Sequence, residues 1–312
     1  MTDTLRLFQS EEDYNAVKDS LEYPTVSYVE ETDNVYYIHN SQPNYFYVEA
    51  LADGMTVALN SNDLEYSTDL STWNTLSMNS ASPAINTGEK IYLRGNAVVG
   101  EAGIGQFVIS QQCNVGGNIM SLLFNDDFEG KTDLSEYVAV CYEMFAGQPV
   151  VNASDLILPA TTLSMYCYNF MFAGCAFLTT APELPATTLA PLCYHYMFFM
   201  CPSLVTAPAL PATTLADGCY TSMFGQCGSL TTAPELPASV LTPSCYNGMF
   251  YLCPHLNYIK MLATDISAED CLLGWVTDVA STGTFVKNST LSEDTIGRGD
   301  NGIPEGWTVV DA

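Results

Sequence analysis

Positive charge is nearly missing from this chain. Eight lysines and arginines stand against 35 acidic residues, a formal charge of −27, and no lysine or arginine occurs between Lys131 and Lys260. So acidic a surface has no electrostatic means of holding nucleic acid or an anionic membrane. Histidine is as scarce: His39, His195 and His255 are the three, and none sits in a G-x-S-x-G, H-E-x-x-H or C-x-x-C setting. Nucleophilic and zinc-hydrolytic chemistry therefore have almost no raw material, and no catalytic residue, metal or cofactor is expected. No run of 18 apolar residues appears, which argues against membrane insertion. The start, "MTDTLRLFQSEEDYN", lacks the basic and apolar regions of a secretory signal, so the expectation is synthesis in a cytoplasm. The eleven cysteines, an odd number in a large chain, are then expected as reduced thiols.

What is present is core material: 48% hydrophobic and 12% aromatic residues over 312 positions, enough for two or three domains. Residues 1–42 read as an arm, with an S-x-x-D helix start at Ser10 and a hairpin signal around Thr32-Asp33-Asn34. From 43 to about 115 follow short β-runs, "YFYVEA", "MTVAL", "LEYS", "WNTLSM", "KIYLRG" and "QFVIS", separated by turn residues, the pattern of a small β-sandwich. From about 137 the chain repeats. With Cys167, Cys193, Cys219 and Cys245 as position zero, Tyr recurs at +1, Met at +4, Phe at +5, Cys at +8 and Leu at +11, with a period of 26. One such unit cannot bury enough surface to fold alone, so the repeats are expected to stack. A degenerate first copy, "VCYEMFAG", fits a 27-residue step if Met144 aligns with Met171, and a 26-residue step if Cys141 aligns with Cys167. At the other end Trp275 replaces Met.

Cys, Met and Cys at i, i+4 and i+8 read as one face of a helix. The cluster Cys193, His195, Met197, Met200 and Cys201 has the composition of a soft-metal site, but sister repeats carry Asn169, Thr221 and Asn247 at the position of His195. A ligand set that loses its imidazole in three copies of four is packed core, where thiols and thioethers fill a narrow interior. The variable columns, +2, +3, +6 and +7, are expected to leave that core. They place Phe170, His195, Tyr196, Phe199 and Tyr251 on a candidate exposed binding face, or against a neighbouring domain or subunit.

"GEAGIGQF", 100–107, lies among β-runs rather than at a strand-to-helix step, so it is no phosphate cradle. "YSTDLSTW", 66–73, resembles the Asp-box turn of sialidase-type hairpins, one residue short, with Ser71 near the glycine position. Arg298-Gly299-Asp300 matches the integrin-ligand tripeptide in three letters only.

The unit C-x2-L-x2-A-P-x-L-P-A-T-T-L-x3-C-Y-x2-M-F-x2-C resembles the BspA-like, or Treponema pallidum-type, leucine-rich repeats found in surface proteins of Bacteroides-type bacteria and in their phages. The tail "VASTGTFVKN…GIPEGWTV" resembles the cap that follows such arrays, and the segment "YPTVSYVEETDNVYYIHN" resembles the N-terminal segment of crAss-like phage virion proteins. The resemblance implies an α+β multidomain chain: arm 1–42, β-sandwich 43–130, leucine-rich-repeat α/β solenoid 131–286 with capping ends, and C-terminal cap 287–312. It implies a non-enzymatic virion protein, a head fibre or tail-associated attachment protein. Such a protein would meet other virion proteins through the arm and a bacterial surface protein or glycan through the repeats, as a homo-oligomer. A bacterial cell-surface adhesin is the alternative.

Overall fold

The computed structural model describes residues 43–96 and 103–312, with the backbone of strand residues 7–8, 29–32 and 35–38. Two compact units result, Met1–Asn44 and Tyr45–Ala312. In the first, strands β2 (Val29–Thr32) and β3 (Val35–Ile38) pair antiparallel with Thr32 opposite Val35, and β1 (Leu7–Phe8) joins β3. The helix expected from Ser10 falls outside the described residues.

In the second unit each of the six β-runs contributes a strand: β4 (Phe46–Ala50), β5 (Val57–Leu59), β6 (Leu64–Ser67), β7 (Asn74–Leu76), β8 (Lys90–Arg94) and β9 (Phe107–Ile109). Two further strands, β10 (Cys113–Asn118) and β11 (Val150–Ile157), complete a six-stranded sheet ordered β11-β10-β4-β8-β6-β7, while β5 and β9 pair separately. Strand β11 belongs to the first repeat, and it pairs parallel with β10. The β-module and the repeats thus share one sheet and one continuous hydrophobic core.

The repeats stack as six coils whose zero positions are Val140, Cys167, Cys193, Cys219, Cys245 and Cys271. The first step is 27 residues, since Phe145 donates to Met171 and Cys141 to Cys167, whereas Phe172 donates to Met197 and Tyr168 to Cys193. Cys141 therefore occupies the tyrosine column. Bridges Asn152↔Thr180↔Thr206 extend the ladder of β11 to the third coil, and Thr232↔Tyr258 joins the fourth coil to the parallel strands β12 (Tyr258–Met261), β13 (Thr284–Lys287) and β14 (Thr308–Asp311). The tail resembling a cap supplies β13 and β14 of that parallel sheet.

The expectation of an α+β chain with an α/β leucine-rich-repeat solenoid is overturned. Among the described residues the helices are two single turns, Ser121–Phe124 and Glu293–Ile296, and the sheets do not close around the stack. The segment expected to be helical is a ribbon of overlapping turns. In the third coil the N–H groups of Cys193, His195, Met197 and Phe199 donate three residues back, to Ala190, Leu192, Tyr194 and Tyr196. The N–H groups between them, Tyr194, Tyr196, Phe198 and Met200, donate instead to Cys219, Thr221, Met223 and Gly225 of the next coil. Every fourth residue is left-handed: Leu192 (φ 57°), Tyr196 (57°) and Met200 (58°). An α-helix would consume all these donors internally and leave none to join coils.

A left-handed backbone costs a non-glycine residue about 1–2 kcal/mol. The inter-coil hydrogen bonds offset this, and glycine takes these columns where it can: Gly147 and Gly174 at +7, Gly218 at −1, Gly248 and Gly274 at +3. Gln226 (φ 62°) lies in the +7 column. Replacing Gln226 with Gly is expected to stabilise the protein by about 0.5–1 kcal/mol, the relief of strain less the entropy of glycine. In a helix the same change would destabilise by about as much. A urea titration of the two proteins gives the sign.

Candidate recognition face

The four-residue period of the ribbon turns two side chains in and two out. Positions 0, +1, +4, +5 and +8 are buried in the second to fifth coils. Inside, the phenylalanines stack in a column, Phe145–Phe172–Phe198–Phe224–Phe250, with ring centroids 5.2, 5.7, 5.7 and 5.9 Å apart. Phe107 of β9 is its foot, 5.4 Å from Phe145. Gly103 allows that approach, because a Cβ there would lie 2.4 Å from the Ala139 carbonyl oxygen. This accounts for Gly103 of "GEAGIGQF" as packing against the first coil.

A second column, Tyr168–Tyr194–Tyr220–Tyr246, runs beside the first at 5.6, 5.8 and 6.1 Å. All eleven cysteines are free and buried. Neighbouring thiols line up as Cys141, Cys167, Cys193, Cys219, Cys245 and Cys271 on one side, and as Cys113, Cys175, Cys201, Cys227 and Cys253 on the other. Each +8 thiol donates to the phenylalanine carbonyl of the preceding coil, as Cys201 Sγ does to Phe172 O at 3.1 Å. Burial pushes the Cys193, Cys245 and Cys253 thiols up to about 12, so they stay protonated and inert. No group of three or more ligating side chains converges among the described residues.

Outside, four of the five residues expected on a binding face come together. Phe170 stacks on Tyr196 with centroids 4.8 Å apart and planes 8° from parallel. His195 stands edge-on to both, at 5.6 and 4.3 Å, and Phe199 packs edge-on to Tyr196 at 4.8 Å. Tyr251 is apart: the fourth coil intervenes with Thr221, Ser222, Gly225 and Gln226, and Phe199 lies over Gly225. Tyr142 of the first coil extends the cluster, 6.2 Å from Phe170 and 38% exposed. Only the 27-residue alignment puts Tyr142 in the +2 column, so the ambiguous first copy concealed it. Met200, 49% exposed, flanks the patch.

Phe170, His195, Tyr196 and Phe199 are half-buried. Built of two stacked rings with His195 and Phe199 set edge-on to them, the patch offers apolar contact rather than reactive groups. Its acidic neighbour is Glu143, whose hydrogen bond raises the Tyr142 hydroxyl above its ordinary range. His195 is uncharged at neutral pH: burial lowers its imidazole from 6.5 to about 4, and its Nδ1–H donates to Asn169 Oδ1 at 3.1 Å. Between pH 6.5 and 4 the unfolded chain binds a proton that the folded chain refuses. This contribution to stability is complete above pH 6.5 and is lost as pH falls towards 4. Since the ring is half-exposed and screened, the loss is about 1–2 kcal/mol. His195→Asn, the residue of the second and fifth coils, is expected to lose less stability than the parent between pH 7 and pH 4. Denaturant midpoints of both proteins at the two pH values measure it.

The other motifs are structural. Asp69 accepts from Ser71 N and Thr72 N at 2.9 and 2.8 Å and from Ser67 Oγ at 3.0 Å, which holds its carboxyl well below the usual range and closes the β6–β7 turn. The left-handed residue of that turn is Leu70 (φ 61°) and not Ser71. Arg298 is engaged within the cap, with Glu293 Oε2 and Trp307 O both 2.9 Å away. His39 lies outside the described residues. Among the described residues no helix is long and apolar enough to cross a membrane. No family model, curated protein or solved structure matches the chain.

Proposed function

We propose that this is a non-enzymatic recognition protein of a bacteriophage virion, a head fibre or tail-associated attachment protein. Its outer ribbon face contacts a bacterial surface protein or glycan, and its arm, residues 1–42, contacts other virion proteins. The supporting observation is the uncharged aromatic cluster of Tyr142, Phe170, His195, Tyr196 and Phe199, half-exposed on a stack whose interior is fully packed. Aromatic anchors on a rigid support commonly dominate an interface. The virion assignment is carried by the resemblance of the repeats and the arm, and homo-oligomerisation would multiply a weak contact.

Mass spectrometry of purified particles tests the location. Finding the chain in the particle is the expected result, and recovering it only from a bacterial envelope would make it an adhesin. Adsorption of particles carrying Tyr196→Ala tests the face. Losing one aromatic anchor is expected to weaken adsorption by about 1–3 kcal/mol, roughly 5- to 150-fold. Unchanged adsorption would remove this face from recognition.

A further inference from the structure

A different edge of the coils, built from the A-P-x-L-P segments, carries a cleft of 430 Å³ between the second and third coils, lined among others by Thr180, Pro182, Glu183, Pro185, Pro208 and Pro211. Glu183 is the ionisable group of its lining. The stacking register says what this carboxylate lacks. Glu183 and Ala209 line the same cleft from adjacent coils, and farther along, the bridge Leu236↔Met261 sets Glu235, two periods on from Glu183, beside Lys260. There Lys260 Nζ meets Glu235 Oε2 at 2.8 Å. Glu183 has no cationic partner among the described residues: the coil after it offers Pro208 and Ala209, where the coil after Glu235 offers Lys260. The stack cannot supply one, having no lysine or arginine between Lys131 and Lys260.

We infer that the cleft at Glu183 receives a lysine or arginine side chain from a partner protein. The aliphatic stem lies between the proline ridges and the charged head meets the Glu183 carboxylate, as Lys260 meets Glu235. Proline and alanine walls suit such a stem, and a charge-assisted hydrogen bond suits the head. Both groups sit at an exposed rim, so the contact fixes register and partner choice more than it adds affinity.

The formal charge of −27 attracts any cation, so the test must separate the cleft from the general field. The full chain, labelled with 15N, is titrated with an acetylated and amidated tetralysine peptide, and with its norleucine counterpart as the neutral control. Saturable shifts confined to amides of residues 180–185 and 206–211 are expected with tetralysine only. Glu183→Gln is expected to weaken them about 5- to 10-fold. Ala209→Lys, which gives Glu183 an internal partner, is expected to abolish them, while Glu235→Gln leaves them unchanged. Glu183 and Ala209 are exposed, and the same spectra verify folding. Absent shifts, or shifts spread over the acidic surface and indifferent to Glu183→Gln and Ala209→Lys, overturn the inference. Tyr196→Ala leaves this cleft intact, so failure of the aromatic face and failure of the cleft are read separately.

Discussion

Phe198→Ala is expected to destabilise the protein by about 3–5 kcal/mol, the usual range for deleting a buried aromatic side chain. Phe198 is fully buried, and its ring stacks between Phe172 and Phe224 at 5.7 Å on either side. The space it leaves cannot collapse easily. Inter-coil hydrogen bonds, Phe172 N to Met197 O and Phe198 N to Met223 O, both 2.9 Å, hold the spacing of the coils on each side. The cavity therefore persists and its full cost is felt. Tyr196, two residues away but in an outward column, is expected to cost only about 0.5–1.5 kcal/mol, mostly the loss of its stack on Phe170. Chemical denaturation of the two variants side by side measures the difference. Equal losses would mean that Tyr196 belongs to the interior and that no outward face exists there.

That contrast rests on columns legible in the sequence alone. The period of 26 and the residues at 0, +1, +4, +5, +8 and +11 are a stacking pattern whatever conformation carries them. The conformation was not legible from apolar spacing. Over eight residues a period of 4.0 and a period of 3.6 place Cys193, Met197 and Cys201 on nearly the same face, so a helix and a turn ribbon share one hydrophobic signature. The discriminating signal was glycine. It appears at −1, +3 and +7 in different coils, as Gly218, Gly248, Gly274, Gly147 and Gly174, and these are left-handed positions. Gly225, at +6, answers a different need, the passage of the Phe199 ring across it.

Strands β4 to β9 could be read from alternation and turn residues. Strand β10 could not: "CNVGGN" looks like a turn, yet Gly117 (φ 75°) lies so close to the Tyr45 carbonyl that a Cβ would sit 1.9 Å from its oxygen. Close approach between β4 and β10, not β-propensity, determines those residues. The aromatic face was legible in its variable columns, but its extent was not, since Tyr142 depends on the first 27-residue step and Tyr251 on what the fourth coil interposes.

Trp275→Ala is expected to cost about 3–5 kcal/mol as well, and to act at the end of the stack instead of its middle. Trp275 replaces the Met of the other coils, and its larger ring terminates both columns. It lies 6.4 Å from Tyr246 and 6.2 Å from Phe250, and it meets Phe285 of β13 edge-on at 6.1 Å. Its Nε1–H donates to Gly302 O at 2.9 Å, and the whole side chain is buried. Truncation opens a cavity, leaves the Gly302 carbonyl without that donor, and separates the last coil from β13 and β14. In a stack whose units contact only their neighbours, such damage propagates from the exposed end. Hydrogen exchange of Trp275→Ala is therefore expected to accelerate first in the fifth and sixth coils and in β12 to β14, with amides of the second coil slowest to respond. Trp275→Phe, which keeps a ring but not the donor, is expected to recover more than half of the loss. Uniform acceleration throughout residues 45–312 would instead show that the β-module and the coils unfold as one cooperative unit, with no separate role for the cap.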